Sequence, residues 1–170
     1  NDKNETSNLG RGGSDYSAAI FAKYGDAKSL EIWTDVSGVY SANPKIVDNA
    51  LPIEFLSYKE AMELSFFGAK VIYFPTLQPL IEDNIPVYIK NTFEPEASGT
   101  CISNSTKLDQ DEIVKGISHI ENISIINFEG SGMVGVPGFS KRFFESLSVY
   151  KINVVMITQA SSEFSICIAV

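Results

Sequence analysis

The chain has 170 residues, 44% of them apolar, with seven Tyr, eleven Phe and one Trp, which is enough for real hydrophobic cores. Its formal net charge of −8 comes without any basic block, which argues against nucleic acid as a partner. No apolar run approaches the ~20 residues of a membrane span. The two cysteines, Cys101 and Cys167, have no metal-ligand spacing and sit in apolar runs, so buried free thiols are expected rather than a disulfide scaffold. The chain starts without Met and closes in an apolar run at 164–170, so it is expected to be a fragment.

Residues 1–8 are polar and read as a loop. Next comes Leu9-Gly10-Arg11-Gly12-Gly13-Ser14-Asp15-Tyr16-Ser17, followed by a helical stretch over 16–24. Glycine allows unusual backbone angles and close approach of a ligand. A helix N-terminus attracts anions, and Arg11 adds a planar donor fork suited to a carboxylate or phosphate. The stretch therefore reads as an anion-binding loop for a small acidic metabolite. The alternative is a tight turn whose Ser14 or Asp15 caps the helix.

Residues 30–34 alternate as a strand, and 35–44 form a loop. Ser57 with Glu60 makes a capping-box pattern that opens a helix to about Phe67. Gly68 interrupts it, 69–74 continue it, and Pro75 ends it. A short helix is expected over 75–83, then strands over 86–90 and 100–103. Alternating strands and helices indicate an α/β fold with a largely parallel sheet.

The polar, aperiodic stretch 104–113 reads as a linker. Beyond it the pattern gives a strand over 117–128, a loop over 130–138, a helix over 139–150, and strands over 152–158 and 164–170. That β-α-β-β order is the first two-thirds of a ferredoxin-like unit. Domains are accordingly expected at 1–103 and 114–170, joined by 104–113.

Several side chains carry possible chemistry. Thr34 and Asp35 lie where a strand ends, and ligands of open α/β sheets gather outside the carboxyl ends of strands. Asp35 suits a ribose hydroxyl or a metal, or simply starts a turn. Tyr40 can lean on a base or pack in its loop, and Lys45 can reach phosphates or remain solvated. Lys70 sits among small and apolar residues, where its charge calls for an anionic partner. His119, the single histidine, reads as solvated or capped. Gly130-Ser131-Gly132-Met133-Val134-Gly135 matches a dinucleotide fingerprint, but the following strand supplies no acidic residue for the ribose. A plain loop before a helix is the preferred reading there.

Together, four stretches resemble the aspartate kinase family: 9–19 around Arg11, Ile32-Trp33-Thr34-Asp35-Val36-Ser37-Gly38-Val39-Tyr40, 60–71 with Phe67-Gly68-Ala69-Lys70, and Lys90-Asn91-Thr92 through Ser98-Gly99-Thr100. The stretches Val114-Lys115-Gly116-Ile117-Ser118, Gly130-Ser131-Gly132-Met133 and 157–165 look like the start of a regulatory ACT domain, in wording close to bifunctional aspartokinase/homoserine dehydrogenases. The resemblance implies part of an amino-acid-kinase sheet sandwiched by helices, followed by a partial ACT unit. It implies transfer of the γ-phosphate of ATP to the side-chain carboxylate of L-aspartate, the first step of lysine, threonine and methionine biosynthesis, with Mg2+ neutralising phosphate charge.

By motif, Arg11, Ser14 and Asp15 fall in the aspartate site, with Arg11 clamping a carboxylate and Asp15 facing the ammonium. Thr34, Asp35, Tyr40, Lys45 and Lys70 match nucleotide-contacting positions. In the ACT segment, Met133, Gly138, Phe139, Val154, Gln159 and Ser161 match the effector site, threonine being the first expectation and lysine the second. The resemblance further implies a homo-oligomer through ACT domains; a cytoplasmic location and no metal-ligating residues are expected as well. Lys45 stands where the family usually has Arg, Ile72-Tyr73-Phe74-Pro75 replaces the frequent Leu-His-Pro, and the N-terminal Lys-Phe-Gly-Gly motif is absent. The isolated piece is therefore expected to lack kinase activity, and a non-enzymatic amino-acid-sensing fragment is the alternative.

Overall fold

A computed structural model describes residues 9–10, 12–67, 71–104, 114–159 and 164–170. Its contacts divide the chain into two units, 1–119 and 120–170.

The first unit opens on helix α1 (Gly13–Tyr24) and strand β1 (Leu30–Thr34). Strand β2 (Phe55–Ser57), helix α2 (Tyr58–Phe66), a 3-10 turn (Phe74–Thr76) and the single-turn helix α3 (Gln78–Ile81) follow, then β3 (Val87–Asn91) and β4 (Thr100–Ser103). The strands form one sheet in the order β1-β3-β4-β2. Pairs β1–β3 and β2–β4 are parallel and β3–β4 is antiparallel, so two of the three pairings are parallel. Alternation sets the faces. Val87, Ile89, Thr100 and Ile102 are buried, together with Ile32 and Leu56, and pack with Ala19, Ala22, Leu77 and Leu80 from α1, α3 and its lead-in. The other face carries Glu31, Trp33, Tyr88 and Lys90, with Lys90 bonded to Glu31 at 2.7 Å and lying over the Trp33 ring.

Helix α2 starts where the sequence indicates. The Ser57 hydroxyl accepts the Glu60 amide, and the Glu60 carboxylate accepts the Ser57 amide at 2.7 Å. The predicted continuation after Gly68 falls partly outside the described residues, and 71–73 are not helical. Pro75 lies in the 3-10 turn, so the expected 75–83 helix contracts to α3. Strand β2 has only three residues, too short to show a period.

The second unit is β5 (Ile125–Glu129), a 3-10 turn (Ser131–Met133), helix α4 (Phe139–Val149), β6 (Met156–Gln159) and β7 (Ser165–Ala169). Its sheet has the order β5-β7-β6, antiparallel throughout. Met133, Leu147, Ile166 and Ile168 form its core, with Phe139, Phe143, Phe144 and Val154 packed on them. The expected strand over 117–128 is confined to β5, because the Ile117 amide bonds the Ser41 carbonyl at 2.7 Å and Asn122 turns the chain at φ 59°. The expected 152–158 strand starts late, because Lys151 adopts φ 54° and the Ile152 amide closes on the helix at Leu147. No helix among the described residues is long and apolar enough to cross a membrane.

Candidate functional site

The Gly-rich turn delivers α1 with an open amino end. Gly10 and Gly12 take φ 73° and 69°, which glycine adopts without strain. A Cβ on Gly12 would lie 2.6 Å from Tyr73, so glycine also lets the turn rest against that residue. Among the described residues no side chain caps α1. The Ser14 hydroxyl instead donates to the Asp15 carboxylate at 3.2 Å, which sets aside the capping alternative. The Gly13 amide bonds the Gly10 carbonyl at 3.2 Å, and the Asp15 carboxylate lies in the first turn. Arg11 lies outside the described residues.

Thr34 ends β1, and its carbonyl accepts the Thr92 amide at 2.8 Å, extending the β1–β3 ladder to the edge. The Thr34 hydroxyl donates to the exposed Asp35 carboxylate at 3.0 Å. Residues 25–29 connect α1 to β1, and the two elements touch. Tyr40 is half-buried and bridges Pro52. Lys45 is exposed, its amide held by the Asn43 carboxamide at 3.0 Å. Lys70 lies outside the described residues, so a shared cationic pocket with Arg11 is a proposal.

Ser37, Asn91 and Thr100 lie in the quoted stretches and were among the residues given no role by sequence reasoning. All three bond loop 35–41 or the strand ends beside it. The signal was their place inside the recurring stretches, but which partner each bonds depends on strand order, which the local sequence does not carry.

The second unit holds a cleft of about 210 Å³ lined by Met133, Val136, Pro137, Gly138, Phe139, Ser140, Gln159 and Ile166. It collects four of the predicted effector residues, Met133, Gly138, Phe139 and Gln159. Val154 packs on the core and does not line it, and Ser161 lies outside the described residues. Gly138 is left-handed at φ 79° and starts α4 without a side-chain cap. Ile166 enters because it pairs with Gln159 across β6–β7, a register the sequence did not reveal. The Gly130–Gly135 stretch sits in an antiparallel unit, not the parallel βαβ that a dinucleotide site requires. No group of three metal-ligating side chains occurs among the described residues.

Comparison with known proteins is consistent with this layout. Residues 1–91 match the amino acid kinase family, and residues 126–170 match the ACT domain. The chain is 48% identical over 170 residues to a bifunctional aspartokinase/homoserine dehydrogenase of Haemophilus influenzae, covering all of this chain and 21% of that protein. Its fold matches E. coli aspartokinase III solved with aspartate and ADP, at TM-score 0.81 and 33% identity over 99% of this chain and 37% of that one. The same enzyme solved with lysine and aspartate matches at TM-score 0.72 and 32% identity, again over 99% and 37%. The chain thus spans about a fifth of the curated relative and just over a third of the crystallised one.

Proposed function

The chain belongs to the amino acid kinase family, and from that premise we propose that it supplies part of an aspartate kinase joined to the start of its ACT sensor. Residues 1–103 belong to the catalytic domain in this reading, 104–113 to the linker and 114–170 to the sensor. The reaction is attack of the aspartate side-chain carboxylate on the γ-phosphorus of ATP. A carboxyl O–P bond forms, the bond to the β–γ bridging oxygen breaks, and ADP leaves with 4-phospho-L-aspartate as product. Such transfer rests on positioning and charge neutralisation. Ser14 and Asp15 at the open end of α1, with Arg11, hold aspartate. Thr34, Asp35 and Tyr40 hold the nucleotide, with Lys45 and Lys70 at its phosphates. Mg2+ on the phosphates would neutralise part of their charge, with Lys45 and Lys70 sharing that task.

The observation that carries this reading is the Thr34–Asp35 pair, hydrogen-bonded at the carboxyl end of the parallel strand β1, in a unit that opens on a Gly-rich turn and a helix. The relatives add support, since aspartokinase III was crystallised with aspartate and ADP. Calorimetric titration with Mg-ATP tests the assignment. Asp35→Ala is expected to weaken binding at least about tenfold, the scale of a lost charged hydrogen bond. Equal affinity in both proteins overturns it. The chain by itself is expected to form no aspartyl hydroxamate from ATP, aspartate and hydroxylamine.

The cleft of the second unit is the effector site in this reading. Among the described residues, its lining combines Met133, Val136, Pro137, Phe139 and Ile166 with Ser140, Gln159 and backbone groups. A threonine methyl suits the apolar part of this lining, and its hydroxyl suits Ser140, Gln159 and the backbone groups. Threonine is the assigned effector and lysine the second, the crystallised relative having been solved with lysine. Pairing of ACT units into a homo-oligomer, a homoserine dehydrogenase fusion and a cytoplasmic location complete the proposal. Threonine binding with no nucleotide binding would favour the alternative, a non-enzymatic sensing fragment.

A further inference from the structure

Loop 35–41 is held from two sides by buried polar groups that the reading above leaves unused. On one side is Thr100, fully buried at the start of β4. Its hydroxyl accepts the Val39 amide at 2.8 Å and donates to the Ile53 carbonyl at 2.6 Å. The Ile53 amide returns to the Val39 carbonyl at 2.8 Å, so one hydroxyl closes a ring between two loops and a strand. On the other side is Asn91, 7% exposed at the end of β3. Its carboxamide nitrogen donates to the Ser37 hydroxyl at 2.8 Å, and its oxygen accepts the Phe93 amide at 2.9 Å. The Ser37 hydroxyl in turn donates to the Glu94 carboxylate at 2.7 Å.

Two glycines make the approach close enough. A Cβ on Gly38 would stand 2.4 Å from the Thr100 hydroxyl, and one on Gly99 would stand 2.1 Å from the Ile89 carbonyl. Both glycines have positive φ, 118° and 70°. The loop is thus pressed onto the strand ends and pinned by groups with few other partners to turn to.

We propose that Thr100 and Asn91 are positioning residues that fix loop 35–41, and through it Asp35 and Tyr40, in the conformation that receives the nucleotide. This rests on the assignment of Asp35 and Tyr40 to the nucleotide. Thr100→Val keeps the shape and removes the hydroxyl, leaving the Val39 amide and the Ile53 carbonyl unpaired. Thr100→Ser keeps the hydroxyl and serves as the rescue. Asn91→Asp loses the donor to Ser37 and adds a charge to the group that already includes Glu94.

Amide hydrogen exchange on the whole 170-residue chain reads the loop without any nucleotide. Thr100→Val and Asn91→Asp are expected to speed exchange at Val39 and Ser41 about tenfold while Ile89 and Ile102 keep wild-type rates. Mg-ATP affinity, measured in parallel, is expected to fall about tenfold, and Thr100→Ser to restore both. A residue that only holds the fold would speed exchange across the whole sheet, which overturns the proposal. So does an opened loop with unchanged Mg-ATP affinity. If the wild-type chain takes up no Mg-ATP, the kinase assignment fails on its own, and the loop-selective exchange pattern alone decides whether the two residues pin the loop.

Discussion

Tyr58 is 3% exposed, and its hydroxyl donates to the Ile85 carbonyl. Burial, with a smaller contribution from Cys101, pushes its phenol up to about 12. The fold therefore favours the protonated form. That contribution is complete below the ordinary value near 10 and is lost as the pH rises through 12. An ultraviolet titration is expected to show the Tyr58 phenol ionising near 12, and Tyr58→Phe to remove its contribution. The same substitution leaves the Ile85 carbonyl unpaired and is expected to cost about 1 kcal/mol in denaturant unfolding. Nothing in the sequence marks Tyr58, because its partner is 27 positions away. The Gly-rich turn, by contrast, was legible, since glycines before a helix state a local backbone requirement. Its open helix end was not, because Ser14 had two nearby choices and took Asp15.

Among the elements, α2 was the most legible, because a capping box is local chemistry between residues three apart. Burial works against the charged form of Glu60, but the Ser57 amide and hydroxyl and the Lys115 ammonium outweigh it and hold its carboxyl below the usual value. The resulting stability is present above the ordinary value near 4.5 and lost as the pH falls through the lowered one. Ser57→Ala is expected to cost about 1 kcal/mol at neutral pH, read as a lowered midpoint in urea. Gly99→Ala is expected to cost more, on the order of 1–3 kcal/mol from backbone strain alone and further from the clash at Ile89. A wild-type midpoint for that variant would mean that the β3–β4 connection does not hold this conformation. Strand ends at 117–128 and 152–158 were misjudged for one reason. Apolar composition continues past the point where Asn122 and Lys151 turn the backbone, and those left-handed residues are not glycines.

At the scale of the whole molecule, the sequence carried the fold class well. Alternation and turn residues gave an α/β unit followed by a β-α-β-β unit, as observed. Strand order and the antiparallel β3–β4 pair were not legible, because they depend on which loops cross over. Residues 114–119 associate with the first unit: Lys115 pairs with Glu60 at 3.1 Å, and Gly116 lies against Ser41 and Leu64. The stretch leading into β5 is therefore anchored on the loop system that bears Tyr40. Threonine added to the labelled chain is expected to shift the Gly138, Phe139 and Gln159 amides and spare α1, and shifts spread evenly over both units would contradict a dedicated cleft.

The most direct test follows the backbone amides of the isotopically labelled chain while Mg-ATP and L-aspartate are added in turn. The account predicts that Mg-ATP moves Thr34, Asp35 and Tyr40, and that aspartate then moves Ser14 and Asp15. Shifts confined to residues outside 9–100, or no saturable shift at millimolar nucleotide, would contradict it.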